Sequence, residues 1–299
     1  MPADERASGT SQSGSLGGCV ATPHEAQIGS TPLAWLRNLL RAIASTATAF
    51  LVEAGGISAT ALEGLRKTWQ VRRWWPEYVE QCLFLIKVTT LPVMLIAIPL
   101  GATISLQVGQ LTRQLGAESL TGAVVIVGVV REAAPIAAAL LIAGAGGSAM
   151  TADMGARNIR DELAAMEVMS VNPTHRLVTP RLWAAATIGV LLVSLIIVAG
   201  VGGGYLFNVV LQGVSAGAYF QGDDQLLRFS DLGVALMKAG LFGFMAATVA
   251  CHRGMHCDRS PVGVGAAVKE AVVMTLLAVF IVNYVITTLY ALLVPQRLI

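Results

Sequence analysis

Residues 146–184 read GGSAMTADMGARNIRDELAAMEVMSVNPTHRLVTPRLWA, and they connect two apolar segments that are each long enough to cross a bilayer. This connection is rich in charge, yet residues 158–171 have the periodicity of a helix. Asn158 is a residue type that caps helix starts. Asn172-Pro173 ends the helix, because the residue before a proline is pushed out of the helical region. The stretch therefore predicts a short amphipathic helix held between two membrane spans, which is a surface for docking another molecule.

One side of this predicted helix is apolar and its start is acidic. The apolar residues follow spacings of four, three and three and form one stripe: Ile159, Leu163, Met166 and Met169. Asp161 and Glu162 fall in the first turn, where the positive end of the helix dipole favours acids. We expect the stripe to insert into a groove of a partner and the acids, with Glu167, to contact its basic residues. The alternative for the acids is a solvated helix face.

The composition predicts an all-α, polytopic membrane protein. The chain has 299 residues, of which 55% are hydrophobic and 13% charged, whereas soluble domains carry about 25% charged residues. The third of its apolar segments contains a glycine run at 200–204 that permits close helix contact. About five transmembrane helices are predicted, at residues 82–105, 120–147, 181–210, 232–251 and 268–293.

The amino-terminal third of the sequence predicts segments that do not cross the membrane. Residues 1–32 are polar and rich in Gly, Ser and Thr, which is typical of a disordered tail. Residues 33–54 place leucines opposite Arg37 and Arg41, which favours an amphipathic helix in the membrane interface; the alternative is a poor first span. A basic and tryptophan-rich elbow completes the segment 33–81. The predicted five-span membrane domain then covers residues 82–299.

The distribution of Lys and Arg predicts the orientation. Thirteen lie in residues 1–81, in the central loop or in the loop after the fourth span, and three lie in the remaining loops and carboxyl end. Because loops rich in Lys and Arg stay in the cytoplasm, the amino terminus and the central loop are predicted to be cytoplasmic. Five spans then place the carboxyl end outside the cytoplasmic (inner) membrane.

Charged residues inside the predicted spans are candidates for a transport path. Arg131 and Glu132 lie in the second span, with Pro135 shortly after them. An ionisable group there costs about 2.5–3.5 kcal/mol on insertion scales, so it normally faces a cavity or a partner. The alternative is a structural pairing with another helix. Lys238, in the fourth span, is predicted to lie near the outer interface and to extend its ammonium to the headgroups.

Several classes of function are disfavoured. Cys251, His252, His256 and Cys257 have ligand types suited to zinc, but Cys251 ends an apolar span, so a basic loop at the membrane edge is the preferred interpretation, and no metal or cofactor is expected. The sequence contains no basic face with interleaved aromatic residues, so nucleic-acid binding is not expected. The predicted spans contain no Ser/His or paired-Asp arrangement, so an intramembrane enzyme is not expected.

The central stretch resembles the MlaE/YrbE permease family, the membrane subunits of MCE-type ABC lipid transporters. The resemblance rests on ADMGAR at 152–157, DELAAMEVMSVNP at 161–173 and RLVTPR at 176–181. It extends to REAAP at 131–135 and to residues 251–273, and covers about residues 75–293. Within that family, these sequence motifs most resemble those of the YrbE subunits of actinobacterial Mce systems. Two positions depart from the family pattern: Ala164 replaces an aspartate and Ser170 replaces a glycine.

The resemblance implies a permease that pairs with a second, identical or paralogous, permease subunit and docks a cytoplasmic ABC ATPase. It would move lipids or sterols across the cell envelope together with MCE proteins outside. The ATPase would dock on these candidates: Arg157, Arg160, Asp161, Glu162, Leu163, Met166, Glu167, Met169, Asn172 and Pro173. The sequence contains no Gly-Lys pair, and hence no phosphate-binding loop of the type that ATPases use. An alternative function is an ATPase-independent secondary transporter of a hydrophobic substrate, although the internal repeats usual in such transporters are not visible.

Overall fold

The computed structural model describes residues 52–66, 71–116, 121–211 and 229–293, together with Gly213, Gly217 and Tyr219. The predicted tail and all but the last three residues of the predicted interfacial helix lie outside these residues. Within the described ranges the chain is helical and contains no strand.

Seven helices build the described part of the chain. They are α1 (52–66), α2 (Val71–Gln114), α3 (Thr121–Ile159), α4 (Glu162–Val168), α5 (Thr174–Val210), α6 (Phe229–Met255) and α7 (Pro261–Leu293). The helices α2, α3, α5, α6 and α7 are long and apolar enough to cross a membrane. Each contains one predicted span, so the all-α class and the five spans are confirmed. The helices extend beyond the predicted spans because their polar end turns continue the backbone hydrogen bonding outside the apolar segment.

Glycines allow α2, α5 and α6 to touch through their backbones. A Cβ atom on Gly101 of α2 would lie 1.9 Å from the carbonyl oxygen of Gly200 on α5, and one on Gly203 would lie 2.6 Å from the carbonyl oxygen of Ile98. A Cβ atom on Gly243 of α6 would lie 2.3 Å from a carbonyl oxygen of α5. The glycine run at 200–204 thus lies in a close helix contact, as predicted from small residues at membrane helix interfaces.

The helix α3 is not a regular α-helix throughout. Two π-helical segments interrupt it, at Val129–Ala133 and at Ile142–Gly147. Such segments insert one extra residue into a turn and occur frequently at functional sites. The first of them contains both Arg131 and Glu132.

The helix α7 is attached to the bundle by one narrow row of residues. Every fourth position is buried, and four of the five side chains are small or polar: Ala267, Ala271, Thr275, Val279 and Asn283. Large apolar side chains cover much of the remaining surface, including Leu277, Phe280 and Ile281. This distribution suits a helix that has lipid around most of its circumference.

Candidate functional site

The predicted docking helix starts later than the sequence indicated. The prediction that Asn158 caps it is wrong, because α3 continues through Ile159. Asn158 is buried, and its Nδ2 donates to the backbone carbonyl of Cys257 at 3.0 Å, so the amide is satisfied by the loop that follows α6. The chain turns instead at Arg160 and Asp161, where Asp161 adopts a left-handed conformation with φ of 55°. Aspartate tolerates this conformation better than most residues.

The short helix α4 turns most of its apolar stripe toward its own bundle. Leu163 is 9% exposed and belongs to the main core cluster, and Met166 packs partly against the same cluster. The expectation that the whole stripe is available to a partner is therefore wrong for these two residues. Met169 is 66% exposed and Val168 is 86% exposed. The neighbouring Glu167 is exposed and has no ion pair among the described residues, so these three residues form the free end of α4.

The acids at the start of α4 are neutralised by arginines of the same chain. Asp161 Oδ1 accepts from Nη1 of Arg259 at 2.6 Å. Glu162 Oε1 accepts from Nε of Arg160 at 2.7 Å, and its second oxygen lies 3.7 Å from Nη1 of Arg157. The hydrogen bond to Glu162 raises the pKa of the Arg160 guanidinium. Glu162 thus pairs with the predicted docking arginines and Asp161 pairs with Arg259, and these pairs hold the start of α4 to the segments that follow α3 and α6.

Asn172 connects three parts of this surface. Its Oδ1 accepts from the backbone N–H groups of Thr174 at 2.9 Å and His175 at 3.3 Å, which caps the start of α5. Its Nδ2 donates to Glu63 of α1 at 3.0 Å. The predicted stop at Asn172-Pro173 differs from the structure: α4 already ends at Val168, Ser170 follows in a left-handed conformation with φ of 59°, and a new helix begins after Asn172.

A cleft of about 770 Å³ opens between α1, α4 and the end of α6. Its walls include Thr60, Glu63, Ala164, His252 and Arg259, so Ala164, where the resembling family has aspartate, faces this cleft. His252 Nδ1 lies 3.0 Å from the hydroxyl of Thr60. Among the described residues, no three His, Cys, Asp or Glu side chains converge as ligands of a metal ion would.

A second polar site lies inside the bundle, between α3 and α6. Arg131 Nη2 donates to Oδ2 of Asp231 at 2.9 Å, and Lys238 Nζ donates to Oε1 of Glu132 at 3.1 Å. Arg131 and Glu132 are neighbours in sequence and point in different directions. Each therefore pairs with its own residue on α6 rather than with the other.

The prediction that Lys238 extends to the outer headgroups is wrong. Its side chain is 2% exposed, and Nζ also donates to the hydroxyl of Thr287 at 2.7 Å. Burying an unpaired ammonium is unfavourable, but Glu132 places a carboxylate at the same level of the bundle. The ammonium is therefore stabilised inside the protein and has no need to reach the interface.

The helix α7 completes this polar network. Asn283 Nδ2 donates to Oε2 of Glu132 at 2.9 Å, and the Thr287 hydroxyl donates to Oε1 at 2.9 Å. The hydroxyl of Tyr290 donates to Oδ1 of Asp231 at 2.6 Å. The network surrounds a cavity of about 70 Å³ whose walls include both ion pairs. Pro135, the third predicted transport-path residue, is buried and is not part of the cavity wall.

Sequence analysis placed Lys238 at the wrong level and missed Asp231 and the α7 members of this network. Asp231 precedes the predicted fourth span, and the polar residues of α7 are isolated within an apolar segment. A signal was nevertheless present: Asp231 and Lys238 are seven residues apart, and Asn283 and Thr287 are four apart, so each pair shares one helix face. A polar face inside an apolar span requires a polar partner on another helix.

Comparisons with known proteins agree with this architecture. The family described as Permease MlaE matches residues 78–289, which include all or most of each membrane-spanning helix and the whole of α4. A probable ABC transporter permease protein of Rickettsia conorii is 33% identical over 190 residues, which cover 64% of this chain and 73% of that protein. The intermembrane phospholipid transport system permease protein MlaE of Haemophilus influenzae is 29% identical over 221 residues, covering 74% and 85%.

A more distant similarity reaches the chloroplastic protein TRIGALACTOSYLDIACYLGLYCEROL 1 of Arabidopsis thaliana, which is 25% identical over 190 residues, covering 64% of this chain and 54% of that protein. The family match extends over more than two thirds of the chain and includes α4 and both buried ion pairs, Arg131–Asp231 and Lys238–Glu132. By this match, and with five helices able to cross a membrane, the chain belongs to the MlaE permease family.

Proposed function

We propose that this chain is the permease subunit of an ABC transporter that moves lipids across the cell envelope. The observation that carries the proposal is the match of a permease family to the five spans and to α4 together. The similar protein of Haemophilus influenzae is named for intermembrane phospholipid transport, and that of Rickettsia conorii is named as an ABC transporter permease. A phospholipid or a related lipid is therefore the proposed substrate class.

The energy for transport is proposed to come from a separate cytoplasmic ATPase. The absence of a Gly-Lys pair from the sequence supports this division of labour. The proposed contact surface is the free end of α4, formed by Glu167, Val168 and Met169, since these side chains are exposed. The paired acids and arginines at the start of α4 orient this end, and Leu163 and Met166 anchor it to the bundle.

The buried polar network is proposed to face the path of the lipid. Arg131 and Lys238 are cations that a phosphate headgroup attracts, and each is neutralised by a carboxylate in this structure. Nε of Arg131 is buried and has no hydrogen-bond partner in the described part of the chain. This donor lies beside the small cavity, so a polar group entering there would gain a charge-assisted hydrogen bond.

The remaining partners and the orientation are proposed from the resemblance and the charge distribution. A second permease subunit covers part of the exposed apolar surface, and MCE proteins exchange lipid outside the membrane. The protein lies in the cytoplasmic membrane, with its amino terminus and α4 on the cytoplasmic side. The thirteen Lys and Arg residues assigned to that side support the orientation.

Co-purification tests the docking surface. The tagged permease is expressed with the ABC ATPase of the same genome, and the retained ATPase is quantified. Glu167→Lys should release most of the ATPase, because a close interfacial charge pair contributes about 1.5–7 kcal/mol. Glu270→Lys is the matched control, since Glu270 is also an exposed acid near the α4 end of the bundle. Full retention by Glu167→Lys would contradict the assignment.

Reconstitution tests the function itself. Proteoliposomes that contain the permease and the ATPase should move a fluorescent phospholipid only when ATP is supplied. Transport by the permease alone, at the same rate and without ATP, would instead identify a secondary transporter.

A further inference from the structure

The helices α2, α3 and α5 differ in how they are connected to α4. The helices α3 and α5 are connected to α4 by the chain itself, through the turn at Arg160 and the loop at Asn172. The helix α2 has no such connection. If an ATPase moves α4, as the proposed function requires, α2 follows only through non-covalent contacts at that end.

The buried side chain of Arg181 makes such non-covalent contacts with α2. Arg181, near the start of α5, is 1% exposed. Its Nε donates to Oε1 of Gln81 on α2 at 3.3 Å, and its Nη2 forms an ion pair with Oδ2 of Asp153 on α3. A single guanidinium therefore holds α2, α3 and α5 together, using the rigid fork geometry that distinguishes arginine from lysine.

The same carboxylate continues the connection to α4. Oδ2 of Asp153 also accepts from Nε of Arg157, one turn later on α3, at 3.3 Å. Arg157 in turn lies 3.7 Å from Glu162, the first residue of α4. Side chains of alternating charge thus connect α4 through α3 to Arg181, and Arg181 in turn donates to Gln81 of α2.

The other contacts of α2 with α5 are of a different kind. The hydroxyl of Tyr78 donates to the hydroxyl of Thr187 at 3.0 Å, which is a neutral hydrogen bond six residues after Arg181 on α5. Deeper in the bundle, Gly101 and Gly203 bring the two backbones together, and the neutral side chain of Ser105 on α2 donates to the carbonyl of Gly204 at 3.2 Å. Arg181 is therefore a charged contact between α2 and the helices that carry α4.

We infer that Arg181, held in place by Asp153, is a positioning residue that makes α2 follow the docking helix and so couples ATP hydrolysis to lipid movement. This inference rests on the proposed function. An arginine that served only to stabilise the fold would affect assembly and thermal stability. An arginine that transmits motion determines how much lipid is moved for each ATP hydrolysed.

Asp153→Asn is the most informative variant. The side chain of Asp153 is 41% exposed, and asparagine keeps one oxygen that accepts from Arg181, so the variant removes charge with little change of shape. In proteoliposomes containing the permease and its ATPase, three quantities are measured: retained ATPase, ATP hydrolysis, and fluorescent phospholipid moved per ATP. We expect the first two to stay at wild-type levels. Phospholipid moved per ATP should fall about tenfold, within the usual range of coupling between sites.

Two further variants and one control separate transmission from stability. Gln81→Leu removes only the α2 end of the connection, and Arg181→Lys keeps the charge but loses the fork; both should lower phospholipid moved per ATP. Glu270→Gln breaks the ion pair of Glu270 with Arg253, which joins α6 to α7 at the same end. This control should leave phospholipid moved per ATP unchanged.

The outcomes are distinguishable. Wild-type phospholipid moved per ATP in all three variants overturns the inference and leaves the proposed function intact. An equal loss in Glu270→Gln also overturns it, because any disturbance of this end would then have the same effect. Loss of bound ATPase in Asp153→Asn places the ion pair in docking and overturns it as well. A wild-type permease that neither retains the ATPase nor transports phospholipid with ATP overturns the proposed function, and the inference with it.

Discussion

Glu132→Gln should destabilise the bundle more than Lys238→Met, although the two residues form one ion pair. The side chain of Lys238 is 2% exposed, whereas that of Glu132 is 40% exposed. Glu132→Gln leaves a buried ammonium without its countercharge, which costs about 3–5 kcal/mol in buried pairs. Lys238→Met leaves a partly exposed carboxylate that keeps its hydrogen bonds from Asn283 and Thr287. Its cost is that of one charge-assisted hydrogen bond, about 1.5–3 kcal/mol.

The double variant completes the comparison. Replacing both partners of a buried ion pair by residues of similar volume is often nearly neutral, so Glu132→Gln combined with Lys238→Met should be more stable than Glu132→Gln alone. Thermal unfolding of the purified permease, followed by tryptophan fluorescence, measures all three variants. A loss of 3 kcal/mol lowers Tm by about 6–12 °C for a protein of this size.

Two results would refute the reasoning. Equal losses for Glu132→Gln and Lys238→Met would show that the difference in exposure between the two side chains has no energetic consequence. Strictly additive losses in the double variant would show that the two groups do not interact, because coupled neighbours deviate from additivity.

Three further predictions concern packing and single contacts. Gly101→Ala should lower Tm strongly, because the new Cβ would lie 1.9 Å from a carbonyl oxygen of α5. Gly128→Ala is the control and should be neutral or stabilising, because no atom lies within 4 Å of its Cβ. Similar Tm values for the two variants would contradict the close packing. Tyr290→Phe removes a hydrogen bond to the carboxylate of Asp231 and should cost about 1.5–3 kcal/mol by thermal unfolding; an unchanged Tm would argue against that contact. Arg259→Gln breaks the ion pair with Asp161, whose two side chains are both more than half exposed. The variant should lose less than about 1 kcal/mol of unfolding free energy, and high salt should abolish the difference from wild type. A larger, salt-independent loss of stability would disprove this weak role.

The sequence was sufficient to predict those features that depend on local composition. The five spans follow from apolar segments of sufficient length, whereas α4 ends at Val168, before the proline that was expected to end it. The errors at Asn158 and Lys238 have a common cause. Each side chain was interpreted from its neighbours in sequence, but its partner, Cys257 or Glu132, is about 100 residues away.

The orientation of α4 illustrates the same limit. An amphipathic spacing indicates that a helix has an apolar face, but it does not indicate what covers that face. Leu163 and Met166 pack against the bundle of their own chain, so the surface left for a partner is smaller and more polar than the stripe suggested. The assignment of Arg131 and Glu132 to a polar site was more successful, because a charge within a span requires a partner wherever that partner comes from.

The row of buried residues on α7 has a mechanical consequence. A row with a spacing of four residues is inclined by about 26° to the helix axis, so helices that pack through such rows cross at an angle and diverge at their ends. The row of α7 ends at Asn283, and no residue after it is buried in the described part of the helix. Small side chains along the row offer little interdigitation that would resist a swing of the helix about it. Beyond Asn283, the hydrogen bonds that Glu132 and Asp231 accept from Thr287 and Tyr290 therefore limit how far the last turns of α7 diverge from α3 and α6.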